Sequence, residues 1–345
     1  MYARNYRPTF KNLTTAIPLH DILYGNMKML NKITVWASIF LLPGFIAAIA
    51  LSIGPTDVTI FSVINNRSAT TAAILLLRLQ RVSMAFIVGA ALATSGCIFQ
   101  ALLKNPLAEP YTLGVSSGAA LGATVAIIFT MNWISAFAFC GGLFTVIVIY
   151  VIAKKIQFNT TAIILAGISM SFVLSSSVLL LFAFSKPDAI HKALMWLSGD
   201  LSMARFEYLQ PLGWGILLLI VTALLFHRQL DIISFGTRFA AIHGIGFWQI
   251  SILFWIASLA TSITVAAAGI IGFIGLIIPH AVRLLKTEHF LLIPLSAIAG
   301  GTMLVIADTI GRTIVMPYEI PCGIITGFCG GIFFLILLLK QKDSL

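Results

Sequence analysis

From Ser251 to Val282 the chain runs through one apolar stretch that contains no Asp, Glu, Lys or Arg. A helix crossing a bilayer needs about 20 predominantly apolar residues. The stretch is therefore too long for a single helix at ordinary tilt and far too apolar for a water-facing surface. Gly269, Gly272 and Gly275 offer a turn and Pro279 a kink, so it reads as two helices. Composition points the same way: 59% of the 345 residues are hydrophobic and 9% are charged, with a mean hydropathy of +1.04. Soluble domains carry roughly a quarter charged residues. The chain reads as an integral membrane protein, all-α and polytopic.

Further apolar runs place spans near 33–53, 82–103, 112–131, 134–153, 161–184, 209–226, 249–268, 270–285, 290–311 and 321–339, about ten in all. The 69–77 run is too short to cross and reads as an interfacial helix on the outer surface. An even number of spans puts both termini on one side. About twice as many lysines and arginines fall in segments assigned inside (Lys104, Lys154, Lys155, Arg228, Arg283 and Lys340 among them) as outside, which makes that side the cytoplasm. The formal charge of +10 then reflects topology, and no basic aromatic patch points to nucleic acid. The expected organisation is a cytoplasmic tail over 1–32, a transmembrane domain over 33–340 and a short cytoplasmic tail over 341–345. The first span follows too long a tail for a cleaved signal, and Met27 or Met29 is an alternative start.

The loop beginning Asn105-Pro-Leu-Ala-Glu-Pro110 separates two apolar runs, and its prolines forbid a continuous helix. Beyond it, Gly114, Gly118 and Gly122 recur every four residues, the spacing that lets helices pack closely in lipid. With Arg78-Leu-Gln-Arg81 upstream and Gly272-Phe-Ile-Gly-Leu-Ile-Ile-Pro-His280 downstream, the pattern resembles the FecCD-type, BtuC-like permeases of type II ABC importers for iron–siderophores, haem or cobalamin. The resemblance covers about 33–340.

It implies a homodimeric inner-membrane permease with two further partners, a cytoplasmic ABC ATPase and a soluble substrate-binding protein. No G-x-x-x-x-G-K-[ST] run occurs, so ATP hydrolysis would belong to a separate chain and no cofactor is expected. The resemblance assigns ATPase docking to 230–244, where Gly236, Ala240 and Gly244 match the pattern of relatives. Arg238 and Ala241 belong to the same docking segment, with Thr237 or Arg238 at the usually acidic position and His243 at an apolar one. Outward-facing arginines at Arg78 and Arg312, with Arg81 beside them, would pair with carboxylates of the binding protein. An ordinary inner loop, an Asp308–Arg312 pair and interfacial snorkelling of Arg81 are the plain alternatives.

Gly167, Ser171 and Ser175 give the fifth span a small, weakly polar stripe that reads as pathway lining. Gly323, Gly327 and Gly331 repeat the spacing in the last span, where helix packing is equally expected. Cys97, Cys140, Cys322 and Cys329 read as small buried thiols, and His280 after Pro279 as part of a helix kink, with no metal site. An ion-coupled secondary transporter is the rival from another class. It would need ionisable groups near the midplane, and Asp308 comes closest.

Overall fold

The computed structural model describes residues 29–54, 56, 69–202, 206–285, 287–316 and 318–341. The tail 1–28 with Met27, the basic residues Arg67, Arg205 and Lys286, and the C-terminal residues 342–345 lie outside the described residues. Contacts divide the chain into two units, 1–44 and 45–345. The described part of the first is the beginning of helix α1 (Met29–Ser52), with Pro43 inside it.

Twelve more helices follow and no strand occurs among the described residues. They are α2 (Ala69–Leu102), α3 (Val115–Ile128), α4 (Ile134–Lys155), α5 (Thr160–Ala183), α6 (Pro187–Leu197), α7 (Phe206–Leu225), α8 (His227–Ser234), α9 (Thr237–Ile242), α10 (Phe247–Ala268), α11 (Ile274–Arg283), α12 (His289–Gly311) and α13 (Cys322–Gln341). Five of them are long and apolar enough to cross a membrane, and α7 with α8, bent by 65°, makes at most a sixth. Shorter apolar helices at Leu41–Ser52, Val115–Ile128, Ile274–Arg283 and Cys322–Ile336 occupy the other places where the sequence leads one to expect spans.

Three expectations change. The 69–77 run is the first part of α2, which continues unbroken for 34 residues. At about 1.5 Å per residue that is about 51 Å, well beyond the ~30 Å apolar layer. No proline or glycine lies between Leu77 and Val82 to break it. The run 112–131 begins as a 3₁₀ turn, Pro110–Leu113, and only then becomes α3. Helix α6 was not expected; Pro187 at its first turn, with no N–H to leave unpaired, starts it. The break inside Ser251–Val282 falls where the glycines suggested, between Ala268 and Ile274, with Gly269 at φ 72° and Phe273 at φ 70°.

Helix α2 is the centre of the packing. Along α12 it runs antiparallel: a Cβ on Gly89 would strike the carbonyl of Gly300, and one on Gly301 would meet the Phe86 backbone at 2.7 Å. Helix α10 lies on another side, with the Ser95 hydroxyl donating to the Ala257 carbonyl at 3.3 Å. Three hydroxyls inside α10, those of Thr261, Ser262 and Thr264, turn back on their own helix, Thr261 to Ala257 at 2.7 Å and Ser262 to Ser258 at 2.9 Å. Such bonds give these three side chains a partner inside an apolar core. Tyr150 of α4 joins the same region, its hydroxyl on Ser251 at 3.1 Å and its ring against Phe254 and Trp255.

Candidate functional site

The candidate sites gather at the two ends of α12. At its C-terminal end Asp308, 2% exposed, receives the Arg81 Nε at 2.9 and 3.1 Å. Arg312 approaches the same carboxylate at 3.6 Å and donates through Nη2 to the Ala50 carbonyl at 2.5 Å. The outer nitrogen of Arg81 reaches Glu319 at 2.7 Å, and Glu319 is the half-exposed member of the group. Arg78 donates to the Leu51 and Thr56 carbonyls and to the Thr56 hydroxyl. The expected outward-facing guanidiniums at Arg78 and Arg312 are therefore corrected: both are buried, 6% and 3% exposed, and bonded within the chain. A buried charge needs such partners because water cannot reach it. Only Arg81 and Glu319 keep a share of the surface.

At the N-terminal end of α12 the carboxylate of Asp231 on α8 accepts two bonds from His289. One comes from the backbone N–H at 3.1 Å and one from ring Nδ1 at 2.5 Å. The first four N–H groups of a helix have no partner inside it, so Asp231 caps α12 from another element. The His227 ring packs on Phe290 with centroids 5.3 Å apart, a second tie between α8 and α12.

Between α8 and α10 the chain makes the short helix α9, entered at Gly236 with φ 132° and left at Gly244 with φ 77°. Both angles favour glycine. Ala240 is buried and holds the turn down, while Ala241 and Gly244 are exposed. The Arg238 side chain lies outside what is described. The apolar residues here face outward: Phe235 is 77% exposed and Ile242 82%, with Phe239 between them. Gly244 and Ala241 also edge an open groove of about 390 Å³ shared with Phe158, Phe247 and Ile250.

The small-residue stripes divide. Gly118 and Gly122 face the α4 backbone at Gly141 and Phe137, whereas Gly114 is a left-handed cap and not part of the helix. On α5, Gly167 is pressed against the Thr112 carbonyl and Ser171 bonds back to Gly167 at 2.9 Å. Both face the 3₁₀ turn, and Ser175 alone of the three is exposed, its hydroxyl 3.4 Å from that of Ser117. Leu165, Ile168, Phe172 and Leu179 form the open face of this helix. In α13, Gly323 packs on the Ser198 and Ile270 carbonyls, whereas Gly327 and Gly331 meet nothing within 4 Å in the single chain. Two cysteines also differ from expectation, since Cys140 and Cys329 are exposed. No cluster of metal-binding side chains occurs among the described residues.

The Asp308–Arg312 pair offered by the i,i+4 spacing is present at 3.6 Å, but the long-range partners of Asp308 and Asp231 were not legible in the sequence. Arg81 and Asp308 are separated by 227 residues and Asp231 and His289 by 58, so no local spacing could join them.

A model of the FecCD transport family matches residues 40–340. The hemin transport system permease protein HmuU of Yersinia pestis is 35% identical over 78% of this chain and 83% of its own. The Fe(3+) dicitrate transport system permease protein FecD of Escherichia coli is 33% identical over 77% and 84%. The cobalamin import system permease protein BtuC of Halobacterium salinarum is 36% identical over 77% and 73%. Among solved structures, an inward-facing metal-chelate type ABC transporter aligns over 89% of this chain and 99% of its own, with TM-score 0.81 and 27% identity.

Proposed function

Since this chain belongs to the FecCD transport family and is an ABC importer permease, we propose that it moves an iron–siderophore complex across the cytoplasmic membrane by alternating access. Two copies enclose one pathway. Each holds a separate ATPase at 235–244, and a soluble binding protein delivers cargo at the end marked by Arg81 and Glu319. Both termini then lie in the cytoplasm. The observation that carries the ATPase contact is the exposure of Phe235 and Ile242 on a segment with left-handed glycines at each end. An apolar helix face of this kind fits a groove on a protein partner, and the sequence has no phosphate-binding loop of its own.

The pathway wall is assigned to the open face of α5 around Phe172 and Ser175. Gly167 and Ser171 hold that helix on the 3₁₀ turn and set where the face points. Iron chelate is preferred because the structural relative is described as metal-chelate type and FecD as a ferric dicitrate permease. Haem or cobalamin on the same machinery is the second reading, favoured by HmuU and BtuC.

The test is uptake by proteoliposomes containing the permease, its ATPase and its binding protein, offered labelled ferric siderophore, haem and cobalamin. ATP-dependent uptake of the ferric chelate is expected. Uptake of haem or cobalamin in its place moves the cargo assignment, and accumulation by the permease alone sinks the importer role. Phe239→Glu places a charge between Phe235 and Ile242. Loss of an interface anchor costs about 2 kcal/mol or more, so ATPase retained on co-purification should fall about thirtyfold.

A further inference from the structure

We propose that the Asp231–His289 contact is a latch that carries motion of the ATPase-docking segment into helix α12, with His289 as a positioning residue for coupling. This rests on the docking reading of 235–244 given above. The docking segment leaves the membrane domain through α8, and α8 is fixed to the first turn of α12 in two ways. Asp231 takes the His289 backbone N–H at 3.1 Å and its ring Nδ1 at 2.5 Å, and His227 packs on Phe290.

Helix α12 is continuous from one end to the other, with Pro294 in its second turn removing one backbone bond there. Its 23 residues run from His289 to Gly311, between the caps Glu288 and Arg312. It has almost no side-chain cushion against α2, because Gly300 and Gly301 bring the two backbones together. At its far end Asp308 grips Arg81 of α2, and Arg81 holds Glu319 at the surface. A displacement of α8 therefore has a polar handle on one end of α12, and the other end of α12 has a polar handle on the outer surface. Elements joined by packed backbone and directional bonds are the physical carriers of coupling between distant sites.

The backbone bond to Asp231 survives replacement of His289 by any residue but proline, while the ring bond does not, which allows the latch to be loosened without removing the cap of α12. The experiment uses the reconstituted complex of permease, ATPase and binding protein. Uptake per ATP hydrolysed is measured beside ATPase co-purification and thermal unfolding. His289→Ala is expected to retain the ATPase and to lower uptake per ATP about tenfold, a typical size for coupling between sites. His289→Asn, whose amide N–H can stand where Nδ1 does, should restore most of it. Asp231→Ala should lose a similar factor, and the double variant little more than either alone. A merely structural histidine would lower the unfolding temperature and leave the ratio of uptake to hydrolysis unchanged. That unchanged ratio, multiplying losses in the double variant, or no recovery with His289→Asn would each overturn the latch. Retention of the ATPase by Phe239→Glu would sink the docking reading and the latch with it. Its loss there, with an unchanged ratio in His289→Ala, sinks the latch alone.

Discussion

Gly96→Val is expected to leave little folded permease in the membrane, while Gly327→Ala should be neutral or slightly stabilising. Helices α2 and α11 meet at Gly96 and Gly275, and a Cβ on Gly96 would land on the Gly275 carbonyl oxygen. Neither side can yield. Gly275 is itself held between the Pro110 ring and the Leu92 carbonyl, at 2.5 and 2.8 Å from its own would-be Cβ. Gln100 donates to the Gly275 and Leu276 carbonyls at 3.4 and 3.2 Å. Overpacking a tight core costs 1–3 kcal/mol where neighbours can shift, and here they are backbone, so about 3 kcal/mol or more is expected. Gly327 has nothing within 4 Å, and alanine inside a helix gains about 0.5–1 kcal/mol over glycine. Thermal unfolding in detergent, followed by the monodisperse fraction on size exclusion, compares the two. Similar melting of both variants would show that the α2–α11 contact is looser than its geometry.

The same region shows what could be read from the chain. The break in Ser251–Val282 was legible because glycines and Pro279 interrupt an otherwise uniform apolar run. The residue that carries the turn beyond Gly269, however, is Phe273 at φ 70°, a conformation no sequence rule assigns to phenylalanine. The Glu109 carboxylate accepts from the Phe273 N–H at 3.3 Å and Tyr111 from Ile271 at 3.3 Å. The loop Asn105–Pro110 thus braces the break from a distant part of the sequence. Stripes of small residues were legible as stripes but not as faces. Gly118 and Gly323 pack on backbone, Gly327 does not, and the spacing is the same in each case. The two arginines read as outward-facing are buried because carbonyls of the Ala50–Thr56 segment receive them. The resemblance that placed them outward carries no information about that segment.

Asp308→Asn should cost about 3–5 kcal/mol of stability, the range for breaking a buried ion pair from one side. The carboxylate is 2% exposed and faces Arg81 and Arg312, so its loss leaves two guanidiniums inside the protein with one counter-charge fewer. Glu319→Gln removes the other carboxylate on Arg81, but at 39% exposure it should cost at most about 1 kcal/mol. Salt separates them further, since screening acts on the exposed pair and little on the buried one. Raising ionic strength should narrow the gap between Glu319→Gln and the parent while leaving the Asp308→Asn deficit in place. The variant also bears on the ion-coupled alternative. A carboxylate that carries coupling ions must exchange partners during transport, whereas Asp308 spends both oxygens on Arg81 and is backed by Arg312. In proteoliposomes holding the complete importer, Asp308→Asn should therefore lower uptake and binding-protein-stimulated ATP hydrolysis together, in proportion to the folded fraction. Uptake abolished while stimulated hydrolysis persists would make Asp308 an ion-coupling group and return the secondary-transport reading to the front.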